Sequence, residues 1–207
     1  MIDVHRAADR YRVEHQGITT WHCFSAGAYY DPDNVAFGRV VACDEHVLAP
    51  GAGFEPHGHS GVELVSWVLD GTLAHWDGAG RRHLIQPGHA QYQRAGSGIR
   101  HAERNGSSLE PLHFVQVAVL ADDESPAYAI SPPPVPLGVG GFDVLTRCRG
   151  EVVGGALVHL FVGSGNFHVA GADLAPGDSV RATGAVEIDG DGALLVVAMS
   201  RPKTAST

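Results

Sequence analysis

At 207 residues the chain can bury one ordinary core or two small ones. Charged residues make up 18% and apolar residues 44%, which is the composition of a folded protein. A net charge of -9 and a single lysine, Lys203, exclude the clustered bases of a direct nucleic-acid binder. No apolar run reaches the ~18–20 residues of a membrane span, and the opening "MIDVHRAADR" has no apolar stretch of the kind a secretory signal carries. Cys23, Cys43 and Cys148 are odd in number and far apart, so they read as small buried apolar residues rather than a disulfide framework. A reducing cytoplasm is the expected setting.

In chain order the segments between Gly and Pro punctuation are short, and helical periodicity is scarce. "GRVVACDEHVLAPG", "VELVSWVLDG", "TLAHWD", "RRHLIQPG", "HAQYQRAG" and "PLHFVQVAVL" are predicted strands. "DGT" at 70–72 and "DGAGR" at 77–81 supply turns between them. This pattern predicts an all-β sandwich or barrel. "SPPPVP" at 131–136 cannot support a central ladder and reads as a linker. The predicted division is a first barrel over 1–130, a linker over 131–141 and a smaller second barrel over 142–207. That second part again reads as short strands and turns. Its tail, "RPKTAST", has nothing to bury and is expected to fray.

Of the 13 histidines, 11 precede residue 120. His57 and His59 stand at i, i+2, a spacing that puts both imidazoles on one face of a strand. His101 and Glu103 repeat the spacing in "AGSGIRHAERN". If the two strands are neighbours, ~4.8 Å apart, three neutral nitrogens and one carboxylate meet around a single ion. No thiolate accompanies this set, which disfavours Cu(I) and iron–sulfur chemistry. Imidazole plus one carboxylate suits Fe, Ni, Zn, Mn or Co. The "GxGxxH" at 96–101 lacks the strand–helix context of a phosphate loop and is not read as one. His159 and His168 have no acid at i+2, so the second part is expected to hold no metal.

The motifs "G51-x5-H57-x-H59-x3-E63-x7-G71" and "G96-x-G98-x2-H101-x3-N105" resemble the paired motifs of the cupin β-barrels. The segments "YYDPDN", "AFGRV", "GFEPHGH", "LDGTLAHWD", "QPGHAQYQRAGSGIRHAE" and "LHFVQV" resemble the pirin branch, in pirin order, over about residues 20–120. The resemblance implies two stacked cupin barrels (double-stranded β-helix, or jelly-roll) with iron in the first. It implies His57, His59, His101 and Glu103 as its ligands and Fe(II) as the metal. It further implies quercetin 2,3-dioxygenase activity in some members, and protein-partner or transcriptional-cofactor roles in others. The chain departs from the usual pirin wording at His57-Gly58-His59, where the middle residue is usually Pro, at Asp77-Gly78, and at Ala118, where a Trp is usual.

Glu63 shares a face with His57 and His59 if the strand stays regular, as a ligand or as an acceptor for an imidazole N–H. A bulge at Gly61 would reverse it. His75 reads as a partly exposed strand histidine, and His113 as facing packing or solvent. The expected function is that of an iron dioxygenase acting on a small flavonol-like or enediol substrate, with Glu103 as general base. A non-catalytic, iron-dependent protein-binding or redox-sensing role is the second reading. Another cupin chemistry, such as isomerisation with Zn or Ni, is the third. A monomer is expected.

Overall fold

The computed structural model describes residues 1–200. The tail 201–207, expected to fray, lies outside the described residues. The strands are β1 (Ile2–His5), β2 (Tyr11–His15), β3 (Ile18–His22), β4 (Val40–Leu48), β5 (Gly53–His59), β6 (Val62–Asp70), β7 (Leu73–Trp76), β8 (Arg82–Ile85) and β9 (Ala90–Arg94). They continue as β10 (Ile99–Asn105), β11 (Leu112–Leu120), β12 (Ala127–Ser131), β13 (Val135–Leu137) and β14 (Gly140–Val153). The last four are β15 (Leu157–Val169), β16 (Ala172–Leu174), β17 (Ser179–Thr183) and β18 (Val186–Met199). One short 3₁₀ turn, Ala7–Asp9, is the only helical element among the described residues. The all-β class is as the turn-rich sequence predicts, and each of the six quoted strand segments forms a strand.

The chain forms two compact units. One comprises Arg10–Ala36 and Val40–Val135. It has a seven-stranded sheet in the order β12-β9-β6-β11-β4-β3-β2 and a four-stranded sheet in the order β5-β10-β7-β8. Leu48, Val68, Leu112 and Phe114 from the large sheet close on Leu73 and Ile85 from the small one, forming an apolar plug. All six are at most 1% exposed. The inner face turns polar two residues along from this plug, where Phe114 gives way to Gln116 and Val68 to Ser66.

The other unit comprises Met1–Asp9, Phe37–Arg39 and the chain from Pro136 onward. Its sheet runs β1-β17-β15-β18-β14-β13, with β16 attached to β15. Leu160, Val162, Val180, Ile188 and Leu194 lie at the centre of its core. Two points correct the sequence reading. Residues 1–9 belong with this unit, because β1 pairs antiparallel with β17, Ile2 opposite Ala182 through His5 opposite Ser179. This segment also contributes ion pairing, since Arg6 donates to Asp178 at 2.8 Å. Its strands are also not all short: β14 and β18 have 14 residues each and β15 has 13. Gly165 and Gly192 read as turn signals, but they sit inside paired strands at a tight crossing. A Cβ on either would stand 2.0 Å from the facing carbonyl oxygen. Glycine here allows close approach and bending without ending the strand.

Candidate metal centre

Strands β5 and β10 are antiparallel neighbours, with His57 opposite His101 and Ile99 opposite His59. The register then slips: Glu103 stands opposite Phe54, so β5 spends three residues where β10 spends two. Pro56 lies in the extra stretch. It has no N–H to give to a ladder, so a bulge is a place it fits.

This pairing brings three predicted ligands together. The ligand nitrogens of His57, His59 and His101 all lie within 4.8 Å of one another. His57 Nδ1 donates to the Glu55 carbonyl oxygen at 2.8 Å. A carbonyl only accepts, so the His57 proton is on Nδ1 and its Nε2 carries a lone pair. His101 Nδ1 donates to Gln93 Oε1 at 2.8 Å, which fixes the same tautomer. The two Nε2 atoms then face each other at 3.0 Å with no proton between them. His59 Nε2 is buried without a hydrogen-bond partner.

Lone pairs held this close repel each other, and a cation between them resolves the repulsion. Two nitrogens on adjacent corners of an octahedral ion, each bonded at about 2.1 Å, stand about 3.0 Å apart. The residues therefore fit a divalent metal. Burial holds His101 down to about 3, helped by the charges that His57, His59 and His75 would carry. Burial, then His57, also lowers His59. Burial thus favours the neutral form of His59 and His101, the form that binds metal.

Glu103, the fourth predicted ligand, is 2% exposed and lies outside the three-nitrogen cluster. Its carboxylate is gripped from the large sheet. Gln116 Nε2 donates to both of its oxygens, at 3.0 and 3.2 Å. Ser66 Oγ and Gln91 Nε2 each reach Oε1 at 3.4 Å. Gln116 Nε2 also donates to Ser66 Oγ at 2.9 Å. Burial raises the Glu103 carboxyl above its ordinary range, against the opposing pull of Gln116, His57, Ser66 and Gln91.

The remaining candidates sort differently. Glu63 is not on the strand of His57 and His59: β5 ends at His59, and β6 starts at Val62 after a turn at Ser60–Gly61. Glu63 is buried and accepts from the Tyr92 hydroxyl at 2.6 Å. His113 is half-buried and donates to Glu45 at 2.8 Å, in keeping with a packing or solvent role. His75 is the residue the sequence reading missed. It is fully buried, opposite Glu103 in the β7–β10 register, and its Nε2 lies 3.1 Å from His101 Nδ1. Tyr128 stacks on its ring at 5.2 Å. Alternation along "TLAHWD" put His75 on the face of Leu73. That alternation was the available cue, but it takes the β7–β10 pairing to show that this face looks inward.

Comparison with known proteins agrees with this picture. A family profile described as Pirin matches residues 4–119. A protein of Mycobacterium bovis named putative quercetin 2,3-dioxygenase is 44% identical over 121 residues, covering 58% of this chain and 50% of its own. The protein of Escherichia coli K12 named quercetin 2,3-dioxygenase is 36% identical over 123 residues, 59% of this chain and 53% of its own. The chain thus spans about half the length of these curated relatives. The crystal structure of the bacterial pirin YhhW from Escherichia coli in complex with nickel(II) superimposes with a TM-score of 0.86 at 27% identity, covering 97% of this chain and 100% of that one. The two units therefore have the cupin fold of that neighbour. With the fold, the histidine cluster and the profile over residues 4–119 in agreement, the chain belongs to the pirin family.

Proposed function

We propose that the protein is a metal-dependent dioxygenase of the quercetin 2,3-dioxygenase type, acting on a flavonol-like or enediol substrate. We further propose Fe(II) as its metal, with His57, His59, His101 and Glu103 as ligands. The single observation that carries the reading is the convergence of three imidazoles, His101 buried and His57 and His59 half-buried, two of them with Nε2 lone pairs facing at 3.0 Å. The names of the curated relatives support the substrate class.

Bound iron supplies Lewis acidity and redox chemistry toward oxygen. The chain does the rest. Three neutral rings and one carboxylate leave a dication with a net charge of about +1, which favours an anionic oxygen on the substrate. Glu103 takes the substrate hydroxyl proton, its basicity supported by burial. Gln116, Ser66 and Gln91 hold that carboxylate in place. We place the protein in the cytoplasm as a monomer. No helix among the described residues is long and apolar enough to cross a membrane.

Nickel is the specific alternative, since a pirin neighbour is named as a nickel(II) complex. Metal analysis of the protein as purified separates the two. The Fe(II)-loaded protein is expected to consume quercetin and oxygen together, followed by flavonol absorbance and an oxygen electrode. Absence of turnover with any flavonol while metal is bound would sink the dioxygenase reading. It would favour a non-catalytic, iron-dependent binding or sensing role.

A further inference from the structure

The large sheet carries a polar row that runs away from Glu103. In register across six neighbouring strands stand Gln91, Ser66, Gln116, Asp44, His22 and Tyr11. Directly opposed residues on paired strands project from the same face. Gln91, Ser66 and Gln116 all touch Glu103, so that face is the one looking onto the metal pocket. Asp44, His22 and Tyr11 are therefore on it too.

The inner wall of a small barrel is ordinarily apolar, so an unbroken polar row calls for a cause. Glu103 accounts for its first three members. The rest form a unit of their own. His22 Nδ1 donates to Asp44 Oδ1 at 2.9 Å. Asp44 Oδ2 and His22 Nε2 make no hydrogen bond among the described residues, and the two side chains are only 21% and 15% exposed. Tyr11 lies flat on His22, with ring centres 6.0 Å apart and planes 23° apart. Tyr29 continues the stack on Tyr11 at 5.0 Å and 16°. The row thus ends in a sheltered acceptor and a ring nitrogen beside a flat aromatic wall.

We propose that His22 and Asp44, walled by Tyr11, form a second subsite of the metal pocket that takes the phenolic hydroxyls at the far end of a planar aromatic substrate. This rests on the dioxygenase reading for the near end. Asp44 is one strand beyond Gln116, which itself contacts Glu103, so the subsite lies about two strand spacings, ~10 Å, from that carboxylate. A rigid two-ring ligand spans such a distance. The Asp44 carboxylate accepts from one hydroxyl, and His22 Nε2 accepts from the neighbouring one.

The test uses two flavonols that differ only at that end: quercetin, and galangin, which lacks the two catechol hydroxyls. Affinities are measured calorimetrically on metal-loaded protein without oxygen. The wild type is expected to bind quercetin about tenfold more tightly than galangin, the size of one charge-assisted hydrogen bond. Asp44→Asn and His22→Gln are each expected to remove that preference, weakening quercetin about tenfold and leaving galangin within about twofold. Metal content and thermal midpoint, measured alongside, are expected to stay at wild-type values. Equal affinity of the wild type for the two ligands, or an equal loss for both in the variants, would overturn the subsite. Discrimination between the ligands without turnover would sink the dioxygenase reading and leave the subsite standing. Failure of the metal-loaded wild type to bind either flavonol would sink both.

Discussion

His57 and His101 show how little freedom the pocket leaves its protons. Each gives its Nδ1 proton to an oxygen, the Glu55 carbonyl or the Gln93 amide, and so each aims a lone pair inward. His57→Ala and Glu103→Ala are each expected to lose metal, falling well below one equivalent by elemental analysis after desalting. Full stoichiometry in both would defeat the ligand assignment. Histidines buried elsewhere carry a different consequence. Burial brings His46 down to about 4 and His159 down to about 3, against the ordinary 6.5. Between pH 6.5 and about 4 the unfolded chain takes up protons at these rings and the folded protein does not. Stability therefore rises with pH through this window and is lost as pH falls through it. For His46 alone the loss is on the order of 3 kcal/mol. The urea midpoint of the metal-free protein is expected to fall between pH 7 and pH 4.5, and a flat profile would refute the burial argument.

At the scale of elements, the pocket depends on how closely β5 and β10 lie. Gly53 marks the contact. A Cβ there would stand 2.6 Å from the Glu103 carbonyl oxygen and 2.7 Å from Arg104 Cα, which is backbone and cannot swing aside. Gly53→Ala must push β5 away from β10, and with it His57 away from His101. Its metal affinity is expected to fall about tenfold or more, as for other losses of support around a metal site, with the protein still folded by circular dichroism. Wild-type affinity would show that the strands absorb the added methyl elsewhere. The Pro56 bulge sets the other half of the geometry, since it lets His101 and Glu103 meet a strand whose register has slipped by one residue.

For the molecule as a whole, metal binding and folding are linked. An ion that binds only the folded chain stabilises it by RT ln(1 + [L]/Kd), about 2.7 kcal/mol at a hundredfold excess over Kd. Added Ni(II) or anaerobic Fe(II) is expected to raise the thermal midpoint by several degrees, and a chelator to reverse it. His57→Ala is expected to show neither effect. An equal rise in that variant would place the stabilising ion elsewhere. The charge of -9 belongs to this scale too, because it sets the long-range field that an approaching ligand meets.

The strands and the spacing of the candidate ligand pairs were legible in the sequence because they depend on local order. Alternating apolar residues bounded by Gly, Pro and Asp mark a strand, and i, i+2 places His57 with His59, and His101 with Glu103, on one face whatever the partner strand. Pairing between strands distant in sequence leaves no such mark. It put Ile2–His5 beside β17, carried 14-residue strands through glycines that read as turns, and broke the line from His59 to Glu63. It also faced the buried His75 toward His101, and set Asp44 and His22 in one row with the residues that hold Glu103. The sequence by itself determined which side chains are candidates to bind metal and that they come in two i, i+2 pairs. Only the tertiary structure decided which strands adjoin, because register is settled by burying one face of each sheet, and that burial involves the whole chain.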